Sequence, residues 1–241
     1  MSTNPTTRED NQEWADRIIR RVDPGFRHRW QAYESRVEKH LASDCVWIDC
    51  GSGDNRIVAE RAGSARLAAG VDLTYREKPD GTFVVADIRH LPFASKSADL
   101  VTLRFVVEHF SEVTGYFDEI ERILKDGGTV IVLTTNVLSP LISIPRFLLP
   151  YPLKNRLLAK LFKVESHDIF PTHHRLNTPG RFEHIGGLRL RHLELISDLN
   201  FTRKWIFWIF LGWHIVTRPR WLHKLRMNIL AELEKPLAGT G

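Results

Sequence analysis

The stretch DCGSGDNR, residues 49–56, follows the apolar run CVWI (45–48) and precedes the helix-compatible IVAERA (57–62). A short apolar strand, a glycine turn and a helix in that order form the edge at which an open parallel sheet receives a ligand. Gly51 and Gly53 stand where the turn must be tight and where the backbone must let a ligand come close. The same pattern also serves as a plain strand-to-helix turn, so its reading depends on what surrounds it.

Outward from this turn, apolar runs recur as RLAAGVD (66–72), TFVVAD (82–87), ADLVTLRF (98–105) and TVIVLTT (129–135). Helical pattern separates several of them, most clearly in EVTGYFDEIERILK (112–125) ahead of a DGG turn. Strands apolar on both faces that alternate with helices predict a doubly wound α/β fold with a mostly parallel sheet. Two helices, Gln12–Val22 and Phe26–Leu41, broken at DPG, are expected ahead of the sheet, with residues 1–12 as a disordered lead. From residue 13 onward the chain reads as one domain with apolar cap insertions at about 137–177 and 201–224. Between the insertions, Thr178 and Pro179 offer a helix start, and LRLRHLELI (188–196) reads as a strand; KLRMNILAELEKP (224–236) supplies another.

Two further carboxylates bear on the glycine turn. Asp72 ends the second apolar run about 20 residues after the glycines, the spacing at which an acidic side chain meets a ribose diol, and Asp87 ends the third. A dinucleotide would want a third glycine for its pyrophosphate, yet Asn55 stands near that position and Asp54 brings negative charge to the helix start. Asp49 adds a carboxylate before the first glycine. An adenosyl group carrying a cationic sulfonium fits this electrostatics better than a pyrophosphate does.

The segments VWIDCGSGDNR, GVDLT, ADIRHLPFASKSADLVTLRFVVEHF and RILKDGGTVIVLTTN, in this order over residues 46–136, resemble the class I S-adenosylmethionine-dependent methyltransferases, in particular the group with the ubiquinone and menaquinone methyltransferases. The resemblance implies a seven-stranded Rossmann-like sheet and S-adenosyl-L-methionine as cofactor. It implies that Asp49, Gly51, Ser52 and Gly53 hold the methionine part, Asp72 the ribose, Leu73 with Asp87 and Ile88 the adenine, and that Arg104 and Phe105 lie by the methionine moiety. KDGG stands where the family commonly has Lys-Pro-Gly-Gly, and Asn55 replaces the third small residue of the loop. A narrower likeness, through DIFPTHHRLNT (168–178) and the aromatic insertion, is to methyltransferases of bacterial surface polysaccharide and glycolipid synthesis.

Methyl transfer from a sulfonium is an in-line displacement by an activated donor, so the protein supplies alignment and, for a hydroxyl acceptor, a base. Histidine titrates nearest neutrality. His109 in VVEHF and the pair His173 and His174 are the candidate catalytic residues, with Glu108 as a partner that could orient His109. No metal site is expected, since no Asp, Glu or Cys stands at ligand spacing from THH. The acceptor is expected to be a small molecule, sugar or lipid-linked hydroxyl. The alternatives are N- or C-methylation of a quinone-like acceptor, and a catalytically silent membrane-associated scaffold.

The 34 basic and 29 acidic residues give a net charge of +5 and a pI near 9.4, spread along the chain, so nucleic acid is not an expected partner. Cys45 and Cys50 lie at the two ends of one strand, too far apart to bridge. Reduced cysteines and a polar N-terminal stretch imply a cytoplasmic protein. The segment WIFWIFLGWHIV (205–216), with cations on both flanks, is too short to span a bilayer. It fits a cap helix or a segment at the inner membrane surface, where with residues 137–162 it would shield a lipophilic acceptor.

Overall fold

A computed structural model describes residues 5–75, 77–148 and 171–238. Seven strands form one sheet: β1 (Val46–Cys50), β2 (Leu67–Asp72), β3 (Phe83–Val85), β4 (Ala98–Arg104), β5 (Leu124–Thr135), β6 (Arg189–Ile196) and β7 (Asn228–Glu234). Their order is β3-β2-β1-β4-β5-β7-β6, and β1 to β5 pair in parallel. β7 runs antiparallel to β5, because the Gly127 N–H donates to the Lys235 carbonyl at 2.8 Å while Asn136 donates to Met227 at 2.7 Å. The doubly wound, mostly parallel sheet is as the sequence predicts.

The apolar runs become central strands because both faces are covered. All five residues of β1 are buried, and α3 (Arg56–Arg61) packs on β2 while α4 (Thr114–Ile123) packs on β5. In α4, Phe117, Ile120 and Ile123 form the buried stripe that a 3.6-residue period dictates. Since β2 and β3 extend the sheet from one side of β1, and β4 and β5 from the other, the chain reverses its direction of travel between β1 and β4. That is the point at which an open α/β sheet leaves a crevice at its carboxyl edge.

The chain divides into two compact units. One comprises Tyr33–Thr135, Thr172–Glu194 and Ile229–Gly241 and holds most of the sheet. The other gathers Met1–Ala32, Asn136–Pro171 and Leu195–Asn228. In the second unit, α1 (Pro5–Val22) packs on α6 (Lys204–Val216) through Ala15, Ile19, Phe207 and Leu211, with Leu199 beneath them. Trp14 meets the edge of Phe207 at 4.9 Å between ring centroids. This unit also contains α5 (Pro140–Leu148). Of the first predicted insertion, residues 149–170 lie outside the described residues.

Several expectations are corrected. The predicted lead is helical from Pro5 onward, a residue whose fixed φ and missing N–H suit the first turn of a helix. The second helix is shorter than expected, α2 spanning Arg29–Glu38. Residues 125–128 lie inside β5: the register runs from Ala98↔Leu124 directly to Leu100↔Thr129, so Lys125–Gly128 loop out as an irregularity, helped by Gly127 at φ 80°. Thr178 precedes only a 3₁₀ turn, Pro179–Glu183, and its side chain makes no capping bond; its carbonyl accepts the Arg181 N–H at 3.1 Å instead. Asp87 lies two residues beyond β3 rather than at its end.

Candidate active site

The glycine turn leaves β1 with Gly51 at φ 74° and Gly53 at φ 62°, conformations that favour glycine. The Gly51 and Ser52 N–H groups both donate to the Val71 carbonyl, at 2.7 and 3.1 Å, which binds the turn to the end of β2. A Cβ on Gly51 would lie 2.2 Å from Val106 Cγ2, so a glycine here lets the loop after β1 close on the loop after β4. Gly53 is the opposite case: a Cβ there would meet nothing within 4 Å, which leaves the backbone open to an approaching group.

Asp72 is built into this turn. Its Oδ2 accepts the Gly53 N–H at 2.9 Å and its Oδ1 accepts the Thr74 N–H at 2.8 Å. A carboxylate takes about four hydrogen bonds, so two acceptor positions remain for a diol. Beside it, Leu73 is 65% exposed, an apolar side chain held at the surface next to a carboxylate.

Asn55, which interrupts the glycine pattern, takes the left-handed conformation itself, at φ 63°, as asparagine can at small cost. Its Nδ2 donates to the carbonyls of Asp80 and of Thr82, the latter at 2.9 Å, and so ties the turn to the loop before β3. The turn therefore keeps a glycine-like backbone without a third small residue. Ser52 is buried, and its Oγ has no partner among the described residues. It faces Gly70, whose added Cβ would stand 2.4 Å away.

Beneath the turn lies a buried polar chain. The Trp47 indole N–H donates to Thr102 Oγ1 at 2.8 Å, and Thr102 donates in turn to Asp49 Oδ1 at 2.5 Å. The Tyr33 side chain is also hydrogen-bonded to Asp49. Burial pushes the Asp49 carboxyl up from its ordinary range, while Arg104 and the bonds from Thr102 and Tyr33 pull it down. Burial, with the Asp49 charge nearby, pushes the Tyr33 phenol up too, so it stays a neutral donor.

Asp87 is held differently, in a fork. Arg89 Nε lies 3.2 and 3.1 Å from its two oxygens and Nη2 lies 2.7 Å from Oδ2. This hydrogen-bonded guanidinium holds the Asp87 carboxyl below the usual range. Ile88, half-buried, follows it.

On the other side of the crevice, β4 ends at Arg104, and Phe105 adopts φ 55°, a strained value for an aromatic residue. Its N–H stays bonded to the Leu133 carbonyl at 2.8 Å. His109 closes the 3₁₀ turn Val107–His109 that follows. Both the His173 and His174 N–H groups donate to the Glu108 carbonyl, at 2.7 and 3.0 Å, so the backbone of this adjacent pair meets the peptide unit that joins Glu108 to His109, far away in sequence. The Glu108 carboxylate accepts Thr134 Oγ1 at 2.8 Å, and Asn177 Nδ2 donates to Thr134 Oγ1 at 2.8 Å and to the Thr135 carbonyl at 2.9 Å. This buried network fixes the 172–178 segment onto the ends of β4 and β5. Among the described residues, four non-glycine positions have positive φ; Asn55, Phe105 and His174 belong to this edge, and Lys96 is the fourth.

Tyr33, Thr102, Thr134 and Asn177 are not singled out by the sequence pattern. Thr102 and Thr134 look like ordinary strand composition, and Tyr33 on α2 and Asn177 in the 172–178 segment like ordinary helix and loop residues, until the fold brings them to their partners. Gly70 did carry a signal, since a glycine within a strand marks a close approach of neighbouring atoms.

Residues 48–132 match the family described as a methyltransferase domain. This segment is a class I S-adenosylmethionine-dependent methyltransferase domain. The demethylmenaquinone methyltransferase of Roseiflexus sp. (strain RS-1) is 27% identical over 157 residues, which cover 55% of this chain and 65% of that protein. The chain spans between 24% and 65% of the lengths of the curated relatives it matches. Its fold is similar to that of geranyl diphosphate C-methyltransferase from Streptomyces coelicolor A3(2), with a TM-score of 0.53, 16% identity, and 86% and 77% of the two chains covered. An S-adenosylmethionine-dependent methyltransferase from Mesorhizobium loti aligns with a TM-score of 0.51 and 16% identity over 83% and 94%.

The residues at the edge of the methyltransferase domain suit this family's cofactor. The open backbone at Gly53 and the spare acceptor positions of Asp72 match an amino acid moiety and a ribose, and the exposed Leu73 offers an apolar surface for a purine. Asp54 adds a carboxylate beside the turn, at the start of α3.

Proposed function

We propose that the chain methylates a hydroxyl of a small-molecule, sugar or lipid-linked acceptor, with S-adenosylmethionine as donor. The observation that carries this reading is the convergence of His109, His173 and His174 on the Glu108 peptide, on the same sheet edge as the Asp72-braced glycine turn. When bound, the cofactor supplies a methyl group on a positively charged sulfur. Everything else falls to this chain. The glycine turn with Asp49 would seat the amino acid end, Asp72 the ribose, and Leu73, Asp87 and Ile88 the adenine, with Arg104 and Phe105 bounding the methionine side. A histidine of the trio would take the proton from the acceptor hydroxyl, which raises its nucleophilicity as it aligns with the donor. The Glu108–Thr134–Asn177 network would hold that histidine in place.

A second reading, C-methylation of a quinone-like ring, is favoured by the demethylmenaquinone methyltransferase relatives. The two readings separate in an assay of label transfer from methyl-labelled S-adenosylmethionine to paired sugar-hydroxyl and naphthoquinol acceptors. Transfer to the hydroxyl set that is lost when His109, His173 and His174 are replaced supports the first. Transfer confined to the quinol supports the second.

A further inference from the structure

Helix α6 is apolar on every side, yet only one side is buried. Ile206, Phe207, Leu211 and His214 face inward, whereas Trp205, Trp208, Ile209, Ile215 and Val216 are exposed, at the i, i+3, i+4, i+10 and i+11 positions of a single stripe. Trp205 and Trp208 are each 54% exposed, and Trp221, in the 3₁₀ turn Arg220–Leu225 just beyond, is 74% exposed. From Trp205 to Val216 the stripe is about 16 Å long.

Charge says what covers it. Between Asp198 and Glu232 the sequence has six Arg and Lys residues and no carboxylate. Exposed Arg203 and Lys204 stand at one end of the stripe and Arg218 and Arg220 at the other. A second copy of the chain would set one cationic rim against another. The apolar segment 137–162 of the chain carries no acidic residue either, so it offers the rim no counter-charge. An anionic lipid surface satisfies both features at once, with tryptophans at headgroup depth and cations on the phosphates. No described helix is long and apolar enough to cross a membrane, and α6 has 13 residues.

We infer that the α6 stripe and Trp221 dock the protein in the plane of an anionic membrane surface, independently of which acceptor is methylated. The test is co-sedimentation of the full chain with vesicles of phosphatidylcholine alone and with about a third phosphatidylglycerol, at low and high salt. Binding is expected with the anionic vesicles and little with the neutral ones. Two double variants, W205S/W221S and R203E/R220E, alter exposed positions; their thermal melting and sedimentation velocity are measured alongside. Each is expected to melt as the parent does and to weaken vesicle binding roughly tenfold or more. Failure of the folded parent to sediment with anionic vesicles overturns the inference, as does binding that the tryptophan variant leaves unchanged. Concentration-dependent self-association lost in W205S/W221S, without vesicle binding, overturns it in favour of a second copy.

Discussion

A Cβ on Gly70 would stand 1.8 Å from Asn55 Oδ1. The residue that departs from the glycine pattern of the turn after β1 thus has its space provided by a glycine on the neighbouring strand. Gly70→Ala is expected to destabilise the protein by about 1–3 kcal/mol through overpacking. Asn55→Gly keeps the left-handed turn but loses the bonds to Asp80 and Thr82. The double variant should be less destabilised than the sum of the singles, because removing Asn55 removes the main clash. Denaturant unfolding of the four proteins measures the coupling, and simple additivity would show that the two positions do not interact.

Asn177 is the anchor of the histidine-bearing segment. It is fully buried, and its amide reaches Thr134 and Thr135. Asn177→Ala should cost about 1–3 kcal/mol, since the Thr135 carbonyl loses a buried donor. Hydrogen exchange should locate the loss at residues 172–178 and at the ends of β4 and β5. Protection unchanged in that segment would mean that other contacts hold it.

The three histidines should separate from cofactor binding. Replacing all three of His109, His173 and His174 by alanine is expected to lower kcat by about 10²–10⁴-fold with S-adenosylmethionine affinity retained, and the single variants should identify which one carries the effect. Steady-state kinetics beside calorimetric titration makes the distinction. Full activity in the triple variant would remove histidine from the mechanism.

His214 should make stability depend on pH. Burial holds its imidazole below the ordinary histidine range, only partly opposed by the hydrogen bond to Asp23 at 3.0 Å. The unfolded chain therefore binds a proton, as pH falls through about 6.5, that the folded chain takes up only at lower pH. Stability is fully present above that value and declines below it. Thermal melting between about pH 7.5 and about 5.5 should fall more steeply in the parent than in His214→Gln.

The order of the elements and the placing of the glycine turn beside Asp72 were legible because they rest on strong local signals. Apolar runs bounded by glycine and aspartate become β1 to β5, and the spacing from Gly53 to Asp72 becomes a 2.9 Å hydrogen bond. What was not legible depends on long-range pairing. Nothing local in HDIFPTHHRLN tells that His173 and His174 donate to Glu108, 65 and 66 residues earlier in the chain. Thr102 meets Asp49 only once β4 lies beside β1, and Tyr33 reaches it from α2. Asp87 looks like a strand end because it closes the apolar run FVVA (83–86), but pairing with β2 stops at Val85. The helix start at Pro5 was hidden by a polar composition that periodicity cannot read.

The Asp72-braced glycine turn is proposed to hold an adenosyl sulfonium cofactor. Calorimetric titration with S-adenosylmethionine, S-adenosylhomocysteine and NAD, for the parent and for Asp72→Ala, decides whether it does. Both adenosyl ligands should bind the parent, bind Asp72→Ala at least about tenfold more weakly for want of a charged acceptor, and NAD should not bind. A folded parent that binds neither adenosyl ligand, or an Asp72→Ala variant that binds them as tightly as the parent, would contradict it.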